Sequence, residues 1–252
     1  MGFLGGYFYG YYQYLLWMLP AIIISLIAQV KVKSTYSKYS RVINRLGITG
    51  AEAARRVLSA GGVTNVQIVP VGGKLTDHFD PRSNVIRLSE GVYDRATVAA
   101  VGVACHEAGH ALQHAEGYFP NKLRSVLVPI TNFGSRIGWI LIIIGFAFSG
   151  YSYYSYSSTV STSYGIGDVI LVIGIILYST SLLFTLVTLP VEFNASKRAL
   201  NIIKNTGMLQ GEEYSGAKKT LTAAAMTYVA SAVTALLQLL RIITMAQNRR
   251  RR

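Results

Sequence analysis

The chain has 252 residues, 51% of them hydrophobic and only 14% charged, with 24 Lys and Arg against 11 Asp and Glu for a formal net charge of +13. So apolar a chain with so few charges is not intrinsically disordered, and its 24 glycines, which have no three-residue period, exclude collagen. A single cysteine, Cys105, excludes an internal disulfide, and what remains is a basic membrane protein.

The charges fall in blocks. Residues 1–30 carry no Lys, Arg, Asp or Glu, whereas 14 Lys and Arg lie between Lys31 and Arg136. From Ile137 to Val191 the one charged side chain is Asp168. Five Lys and Arg follow between Lys197 and Lys219, then Arg241 and Arg249 to Arg252. The uncharged stretches are long enough to cross a bilayer, which takes about 20 residues.

In chain order, a first span is predicted within Tyr7 to Val30, centred on Leu15 to Ala28 and kinked at Pro20. It lacks the basic start and the A-x-A cleavage site of a signal peptide, so it reads as an anchor. Ile48 to Ala60 is predicted as a helix, opened by a Thr49/Glu52 capping box and ended by Gly61-Gly62. A strand is expected over Val63 to Val71, a turn at Asp80-Pro81 and a half-buried strand over Asn84 to Ser89. Asp94 is read as the cap of a small-residue helix running to about His114.

A second span is predicted after Arg136, ending near Tyr151, and a third from Ile166 to Leu189, stopped by Pro190. The Tyr/Ser/Thr-rich loop between them has no basic residue, so positive-inside logic places both basic blocks in the cytoplasm and this loop outside. A fourth apolar segment, Ala223 to Ala246, carries Thr227, Ser231, Thr234, Gln238 and Arg241 at helical spacing, one narrow polar stripe. Crossing would put the terminal arginines outside, so the expectation leans toward a helix in the interface or packed on the spans.

The small-residue helix contains His106-Glu107-Ala108-Gly109-His110. Two histidines four apart lie about 40° apart around a helix and about 6 Å along it, a spacing that lets both imidazoles reach one tetrahedral zinc. Glu107 is placed to take a proton from water at the metal and return it to a leaving amine. The bland alternative, two satisfied core histidines, accounts poorly for an ionisable triplet in an Ala/Gly-rich helix. His114 lies about 12 Å beyond His106 along the axis, too far for bonds of about 2.1 Å to one ion, and is expected beside the site or exposed.

For the third ligand the residues alone leave two readings of Glu192, within LPVEFNASKRAL. It is either a ligand or an ordinary acid at the start of a basic helix. His78 and Arg198 are the candidate stabilisers of an oxyanion, with a turn cap and a snorkelling surface charge as their alternatives. Asn84 to Ser89 is expected to be the edge strand to which an extended peptide adds. Cys105 reads as a small core residue.

The stretches VACHEAGHALQHAEGYFPNKLRS, DHFDPRSNVIRLS and PVEFNASKRAL together resemble the YugP-type membrane zinc metallopeptidases of prokaryotes, over most of the chain. The layout is more distantly similar to HtpX-type proteases, which have an HExxH helix, two spans and a glutamate in an E-F/Y-x-A-D motif. These resemblances imply a gluzincin-like zinc site with His106, His110 and Glu192 as ligands and Glu107 as base. The chain departs from the HtpX pattern at Ser196, where a hydroxyl replaces the aspartate expected to orient a ligand histidine.

The expected fold is therefore an α+β membrane protein, mostly helical. It combines three or four hydrophobic helices with a cytoplasmic HExxH zincin-like metalloprotease domain containing a small sheet. The expected division is an anchor at 1–30, a catalytic domain at 31–136 and a transmembrane hairpin at 137–190. A cytoplasmic segment supplying the third ligand follows at 191–219, then the polar-striped helix and basic tail at 220–252. The expected function is zinc-dependent endopeptidase at the plasma membrane, acting on protein or peptide, with membrane-protein quality control suggested by the HtpX analogy. The competing readings are an intramembrane site-2-type protease using Asp168, and a non-catalytic zinc-stabilised scaffold. Nucleic acid is not an expected partner, because topology and phospholipid contact account for the basic excess. A membrane-protein partner or a homo-oligomer stays open.

Overall fold

The computed structural model describes residues 3–155 and 165–250. In chain order the elements are α1 (Phe3–Tyr39), α2 (Gly50–Ala60), β1 (Gln67–Val71), β2 (His78–Asp80), β3 (Val85–Ser89), α3 (Val98–Ala115), α4 (Phe119–Ser155), α5 (Ile166–Asn205) and α6 (Gly211–Arg250). The chain is thus a mostly helical α+β membrane protein. Among the described residues four helices, α1, α4, α5 and α6, are long and apolar enough to cross a bilayer.

All four are longer than the sequence suggests, α1 running from Phe3 to Tyr39 against an expected span within Tyr7 to Val30. α4 begins at Phe119, so Arg136 lies within it rather than before it. α5 continues through Pro190 to Asn205, placing Glu192 in mid-helix rather than at a helix start. α6 begins at Gly211 and extends through the polar stripe as one helix of 40 residues. Proline inside a long apolar helix is tolerated because nearby groups can satisfy the carbonyl it frees, so it is a weak stop signal here. The predicted Tyr/Ser loop starts later than expected, because α4 is helical to Ser155; residues 156–164 lie outside the described residues.

The chain forms two compact units. One comprises residues 1–24, 123–187 and 230–252. Its helices meet at small residues: a Cβ on Gly138 would stand 2.7 Å from the Tyr178 nitrogen and 2.8 Å from the Gly174 oxygen. With Gly134 on the same face this is a G-x-x-x-G approach of α4 to α5, and backbone atoms leave no room to adjust. Ile142, Leu171 and Ile242 form a buried cluster alongside. Leu183, Leu186 and Ile143 are exposed, as expected of side chains that meet lipid.

The second unit comprises residues 25–122 and 188–229. Its core joins Ile48, Val57, Ile86, Leu88, Val101, Ala104, Ala108, Ile203 and Met208 from α2, α3, β3, α5 and the connecting segments. Thr49 caps α2, accepting from the Glu52 nitrogen at 3.2 Å, but Glu52 turns its own carboxylate to Arg56 instead of closing the box. Thr97 rather than Asp94 caps α3: its backbone is extended and its hydroxyl accepts from Ala100, whereas Asp94 falls in the preceding turn. α3 ends on Gly117 at φ +66, with Tyr118 bonded to the Gln113 carbonyl and Gly117 to that of His114, a Schellman closure.

The sheet has the order β1-β3-β2, with β1 parallel and β2 antiparallel to β3. This corrects the expectation for Asn84 to Ser89. That strand is central and buried, its backbone paired on both sides, so no peptide can add to it. The edge beside α3 is β2, three residues that show no sequence period.

Candidate metal centre

α3 is nearly enclosed, and its small residues set how close its neighbours come. A Cβ on Gly109 would lie 2.6 Å from the Ala195 carbonyl oxygen. Glycine there, inside the HEAGH run, is what lets the α3 backbone rest directly on α5. The contact brings Glu192 and Ser196 of α5 onto the two histidines.

The three ligand candidates converge. His106 Nε2 and His110 Nε2 are 3.2 Å apart, and Glu192 Oε2 lies 3.3 Å from the first and 3.6 Å from the second. The glutamate side chain is 2% exposed, the histidines 15% and 13%. Bonds of about 2.1 Å at a tetrahedral ion place ligand atoms about 3.4 Å apart, so this triangle has the dimensions of one face of a zinc site.

The hydrogen-bond network sets the tautomer of His110. Buried Gln113 donates its amide nitrogen to the Val191 carbonyl at 2.8 Å and to Asn194 Oδ1 at 2.9 Å. Its amide oxygen therefore faces His110 Nδ1, at 3.1 Å, and that nitrogen must donate. In neutral His110 the Nε2 lone pair then faces Glu192. His106 Nδ1 lies 3.1 Å from the Ser196 hydroxyl, which fixes the orientation of its ring. Three such atoms, within 3.6 Å of one another in a largely buried place, can share one cation, and N/N/O ligation suits zinc.

Glu107 follows His106 on α3. Its Oε2 accepts from the Phe79 backbone nitrogen at 3.0 Å. Phe79 is the middle residue of β2, opposite Ile86 between the His78–Arg87 and Asp80–Val85 pairs, and its N–H points away from β3. The short edge strand thus lends its free donor to Glu107.

The other candidates are placed differently. His78 is exposed and its Nδ1 lies 2.7 Å from the Thr76 carbonyl. His114 is exposed, its ring 5.7 Å from that of Phe79, and it is not among the clustered ligands. Arg198 donates Nε to Asn194 at 2.7 Å, pairs with Glu116 and lies over the Tyr118 ring. The bond from Arg198 holds the Glu116 carboxyl below its usual range. Cys105 is fully buried, and burial pushes its thiol far up. Asp168 accepts from the Gly165 nitrogen at the start of α5 and is not among the clustered ligands.

Four features escape sequence reasoning: Gly109, Gln113, Asn194 and the Phe79 amide. A buried glutamine three residues after the second histidine, on the same helix face, was the one available signal.

Residues 14–247 match the model of a family described as "Putative neutral zinc metallopeptidase". The chain is also 43% identical over 233 residues to "Putative membrane protease YugP" of Bacillus subtilis (strain 168), covering 92% of this chain and 96% of the relative. No solved structure matches the chain.

Proposed function

The chain belongs to this zinc metallopeptidase family, and from that premise we propose that it is a membrane-anchored endopeptidase in which His106, His110 and Glu192 hold zinc and Glu107 is the general base. The observation that carries the reading is the convergence of three donor atoms from α3 and α5, 3.2 to 3.6 Å apart. Zinc, when bound, supplies the Lewis acid that polarises a peptide carbonyl and makes water acidic enough to attack at neutral pH.

The protein does the rest. Gln113 holds His110 in the tautomer that ligates, and Ser196 orients His106. The Phe79 amide holds one oxygen of Glu107, so the other can take the proton of the attacking water and hand it to the leaving amine nitrogen. As the C–N bond breaks, the new carboxylate leaves with the N-terminal fragment and the amine with the other. Arg198, held by Asn194 and Glu116, is the better placed of the two oxyanion candidates, because it shares Asn194 with Gln113. The positive-inside distribution of Lys and Arg supports a plasma-membrane protein with this site in the cytoplasm, where a role in membrane-protein quality control is open to it.

Glu107→Gln tests the assignment. It should lower cleavage of an unfolded protein such as casein by about 10²- to 10⁴-fold, the usual worth of a general base, while bound zinc is unchanged. Undiminished cleavage would remove Glu107 from the mechanism.

A further inference from the structure

The unit that contains Leu123 to Val187 holds a cleft of about 620 Å³ lined by Ser135, Arg136, Trp139, Ile140, Tyr178 and Gln238. Two sequence features that the peptidase site does not use meet in it. One is Arg136, an exposed cation carried inside a membrane-competent helix. The other is Gln238, from the polar stripe of α6. An ionisable side chain on such a helix is costly unless it faces a partner or water, so it marks a functional place.

The lining divides by chemistry. Arg136 and Gln238 bring N–H donors, and Ser135 and Tyr178 bring hydroxyls. Trp139 and Ile140 bring apolar surface: Trp139 is 42% exposed, and its ring centroid lies 6.0 Å from that of Tyr178. A cation with neutral donors selects an anion, and a planar guanidinium fits the oxygens of a phosphate. The adjoining apolar wall on a bilayer-crossing helix selects an anion that carries hydrocarbon.

We propose that this cleft binds an anionic phospholipid. Arg136 and Gln238 donate to its phosphate, and the glycerol and upper acyl chain lie against Trp139 and Ile140. The occupant is a lipid from the surrounding leaflet rather than a soluble anion, because the apolar wall has no role in holding a free phosphate.

The test uses the full chain, purified in detergent and supplied separately with dioleoylphosphatidylglycerol, dioleoylphosphatidylcholine or inorganic phosphate, with bound lipid counted by native mass spectrometry and stabilisation read by melting. The wild type should retain and be stabilised by the anionic lipid, with less effect from phosphatidylcholine and none from phosphate. Arg136→Gln should reduce retention about fivefold, the worth of one basic residue against an anionic lipid. Gln238→Leu should reduce it less, and Arg55→Gln, on the exposed face of α2, should not change it. Equal retention by Arg136→Gln and wild type would overturn the proposal. So would equal retention of the zwitterionic lipid, or stabilisation by inorganic phosphate alone. If a co-purifying polypeptide, rather than lipid, is lost in Arg136→Gln, the cleft is a protein-docking site and the proposal fails.

Discussion

The two lengths of α5 handle their polar side chains in opposite ways. Along residues 166–187 the hydroxyls of Ser179, Thr180, Ser181 and Thr185 each donate to the carbonyl three residues earlier, at 2.7 to 2.8 Å. Along residues 188–205 the polar side chains reach out instead: Glu192 to both histidines, Asn194 to Gln113, Ser196 to His106 and Arg198 to Glu116. A hydroxyl can satisfy itself on its own helix, so serine and threonine cost little in an apolar stretch and say little about function. A carboxylate finds a free N–H on its own helix only at the start, as Asp168 does at Gly165, so one in mid-helix signals a partner on another element.

That contrast can be tested by removing polar groups from each length. The largest effect is expected at Glu192→Leu, which should weaken zinc binding beyond the roughly 100-fold that an outer partner is worth. Thr185→Val, in the self-satisfied length, should leave zinc affinity unchanged in the same chelator competition. Gln113→Leu frees the His110 tautomer and should weaken zinc about 10- to 100-fold, and Ser196→Ala should fall at the lower end of that range. Equal zinc affinity in Gln113→Leu and wild type would show that the tautomer is set elsewhere.

The glycine contacts sharpen the comparison on the packing side. Gly109→Leu and Gly138→Leu each push a side chain into backbone and should lower stability by about 1–3 kcal/mol. Only Gly109→Leu should also weaken zinc, because it alone separates the histidine helix from Glu192. Smallest of all is Ser181→Ala, expected to change the melting behaviour by less than about 0.5 kcal/mol.

Much of the candidate zinc centre is legible in the sequence, for a local reason. His106, Glu107 and His110 lie on one helix, where spacing alone fixes geometry. Glu192 did not have that advantage: the residues left it open, and only family resemblance pointed to it as a ligand. Its place depends on how α5 lies against α3, which Gly109 decides and no periodicity records. Gln113 and the Phe79 amide were missed because their roles are defined by partners 78 and 28 residues away. The strand β2 is too short for alternation, so the clear pattern of Asn84 to Ser89 marks a strand without showing that it is the central one. Helix ends were misread where Arg136 and Pro190 looked like boundaries, since water-based stop signals weaken in an apolar setting.

The most direct test is the zinc content of the full chain, purified without added metal, in wild type and in His106→Ala. A single ion held jointly by α3 and α5 predicts stoichiometric zinc in the wild type and almost none in the variant. Wild-type protein that neither carries nor takes up zinc, or a variant that keeps its full complement, would contradict it.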